Sequence, residues 1–138
     1  MDSNSILLIV VLAVLLSLSA YFSATETAYS SLNRLRIKSK AEEGDKRAAL
    51  VISLVDNFDR LLSTILIGNN IVNITSASLA TVLFVRHFGD SGVTMATVVM
   101  TVLVLIFGEI SPKSLAKEQP ERFAMAVAPS IRFLTLLL

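Results

Sequence analysis

The feature that most constrains this chain is a set of three uncharged stretches, each long enough to cross a lipid bilayer. They cover Ile6–Phe22, Leu61–Val85 and Gly92–Gly108. A bilayer core is crossed by about 20 apolar residues, with about 17 as the lower limit. The chain is also 54% hydrophobic and only 17% charged, whereas a soluble domain carries about 25% charged residues. The sequence therefore predicts an all-α membrane protein with three transmembrane helices per protomer, over about 5–24, 59–85 and 92–111.

The distribution of basic residues predicts how these helices are oriented. The N-terminal segment Met1–Ser5 contains no Lys or Arg, which argues against a cleaved signal peptide. The link between the second and third stretches contains only Arg86. Most basic residues lie in the other two connections, and they are Arg34, Arg36, Lys38, Lys40, Lys46, Arg47, Lys113, Lys117 and Arg122. Since basic residues remain in the cytoplasm, we expect a plasma (inner) membrane protein with its N-terminus outside and its C-terminus cytoplasmic.

Two further helical segments are predicted beside the membrane, over about 30–57 and 120–138. In the first, apolar residues spaced three, one and three apart mark one face of a helix between Ala41 and Leu54. They are Ala48, Val51, Ile52 and Val55. We interpret this face as one that lies on the inner membrane surface.

The last apolar segment, Phe123–Leu138, is short for a crossing. It contains Pro129 and Arg132, which favour an interfacial or re-entrant helix over a truncated fourth span. The chain ends on the apolar letters LTLLL without a polar exit, so we expect it to belong to a longer protein.

Polar side chains within the apolar stretches are the candidate functional residues, because each needs a partner where water is absent. Ser19, Ser23, Glu26 and Ser30 recur at intervals of four, three and four residues, which places them on one helical face. For Ser19 and Ser30 we favour a hydrogen bond to the backbone of their own helix. For Ser23 and Glu26 we favour a functional role.

The second polar cluster lies in the middle of the second apolar stretch and consists of Gly68, Asn69, Asn70 and Asn73. The spacing brings three amide groups within about one helical turn, and each offers a carbonyl oxygen suited to a hard cation. The alternative is that these amides hold neighbouring helices together by hydrogen bonds. Three amides beside a glycine favour a ligand site.

The third cluster is the segment Gly108–Lys113, which contains Glu109 and Pro112. Proline donates no backbone hydrogen bond and clashes with the carbonyl group four residues earlier. We therefore expect the helix to kink or end here, which frees a carbonyl oxygen beside a carboxylate. The alternative is a helix end at the membrane surface, with Glu109 in water.

The ligand types narrow the choice of ion without deciding it. The chain has no Cys and one His, so the available ligands are oxygen atoms. Oxygen ligands exclude copper, disfavour zinc, and leave Mg²⁺, Ca²⁺, Mn²⁺ and Na⁺ open. A net charge of +1 gives no indication of nucleic-acid binding.

The three clusters together resemble the transmembrane domain of the CorC/CNNM family. The matching motifs are F-S-A-T-E-T-A at Phe22–Ala28, G-N-N-I-V-N at Gly68–Asn73 and G-E-I-S-P-K at Gly108–Lys113. They occur in order and at matching separation, over nearly the whole chain. The resemblance implies a magnesium transporter that exports Mg²⁺ in exchange for Na⁺. It also implies a homodimer in the lipid membrane, and a cytoplasmic pair of nucleotide-binding CBS domains that we expect to lie outside this chain.

The resemblance also implies which residues hold the ions. Ser23, Asn70 and Glu109 match the family's motif positions for Mg²⁺ most directly. The other metal candidates are Gly68, Asn69 and Asn73. Residues that could bind Na⁺ or line the ion's path are Glu26, Thr27, Asn33, Ser111 and Pro112.

Two other classes of function are alternatives to transport. The domain could be a Mg²⁺-binding membrane anchor or sensor that moves no ions and reports to a cytoplasmic domain. An enzyme has no support, because the sequence shows no pair of nucleophile and base, and His87 lies in the predicted outer link, where it is expected to be solvated.

Overall fold

The computed structural model describes residues 3–137, and these fold into helices joined by short turns, with no strand among them. The prediction of an all-α protein is confirmed. The α-helices are α1 Ser3–Ser31, α2 Arg34–Glu42, α3 Lys46–Asp56, α4 Phe58–Phe88, α5 Gly92–Leu103, α6 Ser111–Glu118 and α7 Pro120–Leu137. A 3₁₀ turn, Gly89–Ser91, joins α4 to α5, and a π-helical segment, Val104–Ile110, joins α5 to α6.

Two stretches are long and apolar enough to cross a membrane, Ser3–Ser31 and Phe58–Glu118. The second stretch folds back on itself at its 3₁₀ turn, where Gly89 has a left-handed φ of 70°. Ala80 on α4 packs in one cluster with Ala96 and Met100 on α5. In a straight helix Ala80 and Met100 would lie about 30 Å apart, so this cluster requires α4 and α5 to form a helical hairpin.

The outer surface of α1, α4 and α5 is apolar. Large hydrophobic side chains that are exposed on the single chain include Leu7, Val14, Leu66, Ile74, Val98 and Val102. Water disfavours a continuous apolar surface of this kind, whereas a lipid environment accommodates it. The surface therefore agrees with a membrane domain.

The main hydrophobic core lies where the second half of α1 meets α2, α3, α6, α7 and the start of α4. Its buried side chains include Phe22, Ala28, Tyr29, Ile37, Val51, Leu61 and Ile131. The buried Tyr29 hydroxyl donates a hydrogen bond of 2.9 Å to the carbonyl oxygen of Ala124 on α7. Helices α2, α3 and α7 thus form a layer packed on one end of α1 and α4.

The prediction of one continuous helix between Ala41 and Leu54 is wrong. The chain turns at Gly44, whose φ of 102° is left-handed, and α3 begins afresh with Asp45 as its N-cap. The Asp45 carboxylate accepts hydrogen bonds from the backbone N–H groups of Arg47 and Ala48. The apolar face of α3 is buried against other helices of the protein. Leu54 belongs to this buried face, whereas Ile52, which the sequence predicted on it, is only half-buried.

Helix α7 continues through Pro129 and buries one face. That face consists of Ala124, Ala128, Ile131 and Thr135. The opposite face exposes Phe133, Leu136 and Leu137. This arrangement is amphipathic, as an interfacial helix requires.

Many hydroxyl groups of the apolar helices are bonded within their own helix. On α4, Thr64, Ser76 and Thr81 each donate to the carbonyl oxygen four residues earlier. Thr97 and Thr101 on α5 do the same. These five residues therefore need no polar partner on a neighbouring helix.

Candidate cation site

The site is organised around Ser19, which is 1% exposed on α1. Its hydroxyl oxygen lies 3.0 Å from Oδ1 of Asn73 and 3.4 Å from Oδ1 of Asn69, and it donates to these amide oxygens of α4. The prediction that Ser19 bonds to its own backbone is wrong. Its position on the same helical face as Ser23 and Glu26 was the signal that could have identified it.

Two glycines allow the helices to approach closely at this point. A Cβ atom on Gly68 would lie 2.5 Å from Cζ of Phe22, so the Phe22 ring occupies the space of the missing side chain. A Cβ atom on Gly108 would lie 3.0 Å from the hydroxyl oxygen of Ser19. Helix α1, helix α4 and the π-helical segment therefore meet around Ser19.

The π-helical segment contains both Gly108 and Glu109. The backbone N–H of Ser111 donates to the carbonyl oxygen of Ile106, five residues earlier. Pro112 follows in the first turn of α6 and supplies no N–H to the carbonyl groups of the preceding turn. The sequence predicted a change of helix geometry at this proline, and the structure places π-helical geometry directly before it. Such segments occur frequently at functional sites.

The other predicted site residues differ in how far they are enclosed. Ser23, Thr27 and Pro112 are buried; Glu26 and Glu109 are half-buried; Asn70 and Ser111 are exposed on the single chain. Asn33 is also exposed, and its side-chain oxygen accepts the backbone N–H of Arg36 as the N-cap of α2. The structure thus gives Asn33 a role in starting a helix, whereas Asn69 and Asn73 are brought together with Ser19.

Asn73 also lines an open cleft between α4 and α5. The cleft has a volume of about 330 Å³ and includes Thr81, Thr97 and Thr101 in its lining. The amide of Asn73 therefore lies between the buried contact with Ser19 and a space large enough for several water molecules.

The ligands available around Ser19 are neutral oxygen atoms. One carboxylate, that of Glu109, follows Gly108 directly in the sequence. Within residues 3–137, no three His, Asp or Glu side chains come together in a way that could hold a metal ion. A cation bound here would rely on amide, hydroxyl and backbone oxygens, with Glu109 as the source of negative charge. Mg²⁺ is commonly bound by only one or two carboxylates and keeps several of its waters.

A family model described as the Cyclin M transmembrane N-terminal domain (CNNM) matches residues 9–138. The chain belongs to the CNNM family. The resemblance inferred from the three motifs is thereby confirmed, and this CNNM domain is a membrane domain.

Curated relatives of the CNNM domain include bacterial and plant proteins. The UPF0053 inner membrane protein YfjD of Escherichia coli is 46% identical over 78% of this chain and 25% of its own length. A UPF0053 protein of Haemophilus influenzae is 44% identical over 83% of this chain and 27% of its own length. A chloroplastic DUF21 domain-containing protein of Arabidopsis thaliana is 39% identical over 93% of this chain and 19% of its own length. The chain thus spans between about a fifth and a quarter of the length of these relatives.

Proposed function

We propose that this domain transports Mg²⁺ across the plasma membrane in exchange for Na⁺, exporting Mg²⁺ from an inward-facing site. In this proposal α1, α4 and the continuous run from α5 to α6 form three membrane crossings, with the N-terminus outside. The observation that carries the proposal is the junction at Ser19, where amide oxygens of α4 and a π-helical segment meet inside an otherwise apolar bundle.

The direction of the amide oxygens supports a cation site. Both Oδ1 atoms, of Asn69 and Asn73, face the single hydroxyl group of Ser19. Amide and hydroxyl oxygens are hard ligands of the kind that Mg²⁺ and Na⁺ accept. Glu109, half-buried on the π-helical segment, would add the charge that neutral ligands do not provide.

The remaining ligands follow from the same geometry and from the family motif. Ser23 lies one helical turn from Ser19 on the buried face of α1, and Gly68 lies in the turn of α4 that precedes Asn69 and Asn73. A ligand set with a single carboxylate binds weakly enough to release its ion, as transport requires. Na⁺ would compete for these oxygens or bind near Glu26, Thr27 and Ser111.

Asn70, a Mg²⁺ ligand by its match to the family motif, is not among the amides bonded to Ser19, and its exposure supports the proposal of a homodimer. Its side chain is exposed on the single chain, between the exposed apolar residues Ile67 and Ile71 of α4. An amide group that faces hydrocarbon without a partner is unfavourable by several kcal/mol, and a second copy of the chain would cover it.

The test compares Glu109→Gln with Glu118→Gln, an exposed acid nearby on α6. An ion at 100 times its dissociation constant stabilises a protein by about 2.7 kcal/mol. We expect Mg²⁺ to raise the melting temperature of the detergent-purified chain and of Glu118→Gln, and to have little effect on Glu109→Gln. Equal stabilisation of both variants would remove Glu109 from the ligand set.

A measurement of ion flux distinguishes transport from the alternative of a Mg²⁺-binding anchor or sensor. Because the chain spans only a quarter of its relatives, the relatives contain much sequence to which such a module could report. Liposomes that contain the full-length protein and a Mg²⁺-sensitive dye should show Mg²⁺ movement that depends on an opposing Na⁺ gradient. Binding without flux would favour the sensor and overturn transport.

A further inference from the structure

A second polar pocket lies away from the cation site, where α3, α4 and α7 meet. It has a volume of about 100 Å³ and is lined by Ser53, Asn57, Arg60, Arg132, Thr135 and Leu136, among others. No carboxylate is part of its lining. The pocket therefore presents two guanidinium groups together with neutral polar groups.

Both arginines have neutral hydrogen-bond partners. Arg60 donates to the carbonyl oxygen of Thr135 at 3.0 Å, and Arg132 lies 3.5 Å from the hydroxyl oxygen of Ser53. The ion pairs among residues 3–137 are Arg34 with Asp56 and Arg36 with Glu121. Neither pocket arginine takes part in one, so two positive charges share this pocket without a bonded counterion.

The surroundings of the pocket are apolar on one side. Leu136 belongs to the lining, and it is exposed together with its neighbours Phe133 and Leu137 on α7. Arg60 stands in the first turn of the long apolar helix α4, which places the pocket at the level where a membrane meets water. A ligand that fits both features has an anionic head and a hydrocarbon tail.

We propose that this pocket binds the phosphate group of an anionic phospholipid. Two guanidinium groups suit a phosphate because each can donate two parallel hydrogen bonds, and Asn57 and Ser53 add neutral donors. The acyl chains would lie against Phe133 and Leu136. In the orientation proposed above, the pocket faces the cytoplasmic leaflet, whose surface is negatively charged. The bound lipid would join α3, α4 and α7 at the base of the membrane helices.

The test measures lipid binding to the detergent-purified chain by native mass spectrometry and by melting temperature. The variant is Arg60→Gln with Arg132→Gln, and the matched control is Lys46→Gln with Arg47→Gln, which removes the same charge from the exposed start of α3. Each lost hydrogen bond between a guanidinium group and the phosphate should weaken binding about tenfold or more, so we expect at least about 100-fold weaker binding of phosphatidylglycerol in the variant. The control should bind nearly as the unchanged chain does.

Three outcomes would overturn the proposal. The unchanged chain could show no preference for phosphatidylglycerol over phosphatidylcholine, a result that stands even if the double variant fails to fold. The control could lose as much affinity as the variant, which would indicate a diffuse surface charge. Inorganic phosphate alone could stabilise the chain as well as the lipid does, which would assign the pocket to a free anion. Stabilisation by Mg²⁺ is measured in the same samples, so failure here is distinct from failure of the cation site.

Discussion

At the scale of single residues, the one hydroxyl group of Ser19 is bonded to two amide side chains, those of Asn69 and Asn73. Ser19 is 1% exposed, Asn69 and Asn73 are half-buried, and their hydrogen bonds join α1 to α4 across the middle of the apolar helices. A hydrogen bond in such surroundings contributes about 1 kcal/mol, and the loss of one partner leaves the other unsatisfied.

We expect Ser19→Ala to destabilise the protein by about 1–2 kcal/mol, because the amides of Asn69 and Asn73 lose their shared donor. Ser17→Ala is the control, since Ser17 is exposed and donates only to the Ala13 carbonyl in its own helix. Melting temperatures of the two variants in one detergent provide the comparison. Equal stabilities would show that the Ser19 contacts contribute nothing to folding.

The close packing at Gly68 leads to a second prediction at this scale. A methyl group there would overlap the Phe22 ring, with 2.5 Å between the new carbon and Cζ. We expect Gly68→Ala to reduce stability by about 1–3 kcal/mol, which is typical of overpacking. Adding Phe22→Leu should restore part of the loss by clearing the space. If the double variant is no more stable than Gly68→Ala, the contact with Phe22 is not the cause.

At the scale of elements, the layer of α2, α3 and α7 is held to α1 by burial and by few hydrogen bonds. The Tyr29 bond to Ala124 is buried, whereas the Tyr21 bond to Ser130 is exposed. Water replaces an exposed partner readily, and a buried carbonyl group has no such substitute. The two tyrosines therefore differ in what their hydroxyl groups contribute.

Tyr29→Phe should destabilise the protein by about 1–1.5 kcal/mol, because a buried carbonyl oxygen loses its donor. Tyr21→Phe should change stability by less than about 0.5 kcal/mol, as is usual for substitutions at the surface. Melting curves for both variants test the difference. A larger loss for Tyr21→Phe would contradict the assigned role of the buried bond.

The sequence predicted the elements better than their contacts. The lengths of the uncharged stretches predicted α1, α4 and α5, because the hydropathy of a segment depends only on its own residues. The apolar spacing from Ala48 to Val55 suggested one helix from Ala41 onward, although Gly44 and Asp45 are residue types typical of a turn and a cap. The spacing of Ser19, Ser23 and Glu26 indicated a shared face of α1, but the partners of Ser19 could not be predicted, since a spacing within α1 does not reveal which residues of α4 lie opposite. Pro112 marked the position of the altered helix but could not distinguish a π-helical segment from a kink.

At the scale of the whole molecule, the proposed orientation has a direct chemical test. The chain contains no cysteine, so single cysteines introduced at exposed positions report unambiguously. Ser91 lies in the turn between α4 and α5, and Ser39 lies on α2; both are exposed. The two positions are expected on opposite sides of the membrane.

We expect Ser91→Cys to react with a membrane-impermeant thiol reagent in intact cells, and Ser39→Cys to react only after the membrane is made permeable. The basic residues of α2 and α3 are the reason, because they favour the cytoplasm. Mass shifts on a gel provide the measurement. A reversed labelling pattern would invert the orientation and move the pocket of Arg60 and Arg132 to the outer leaflet.

The hydroxyl groups that bond within their own helices have a mechanical consequence. Thr81, Thr97 and Thr101 keep their hydrogen bonds whatever α4 and α5 do relative to each other. Among the described residues of these two helices, 58–88 and 92–103, no side-chain hydrogen bond runs from one helix to the other. Their mutual position thus depends on packing around Ala80, Ala96 and Met100, so a shift of one helix along the other breaks no side-chain hydrogen bond between them. Side-chain hydrogen bonds thus fix α4 against α1 at Ser19, whereas α5 is positioned against α4 by packing alone.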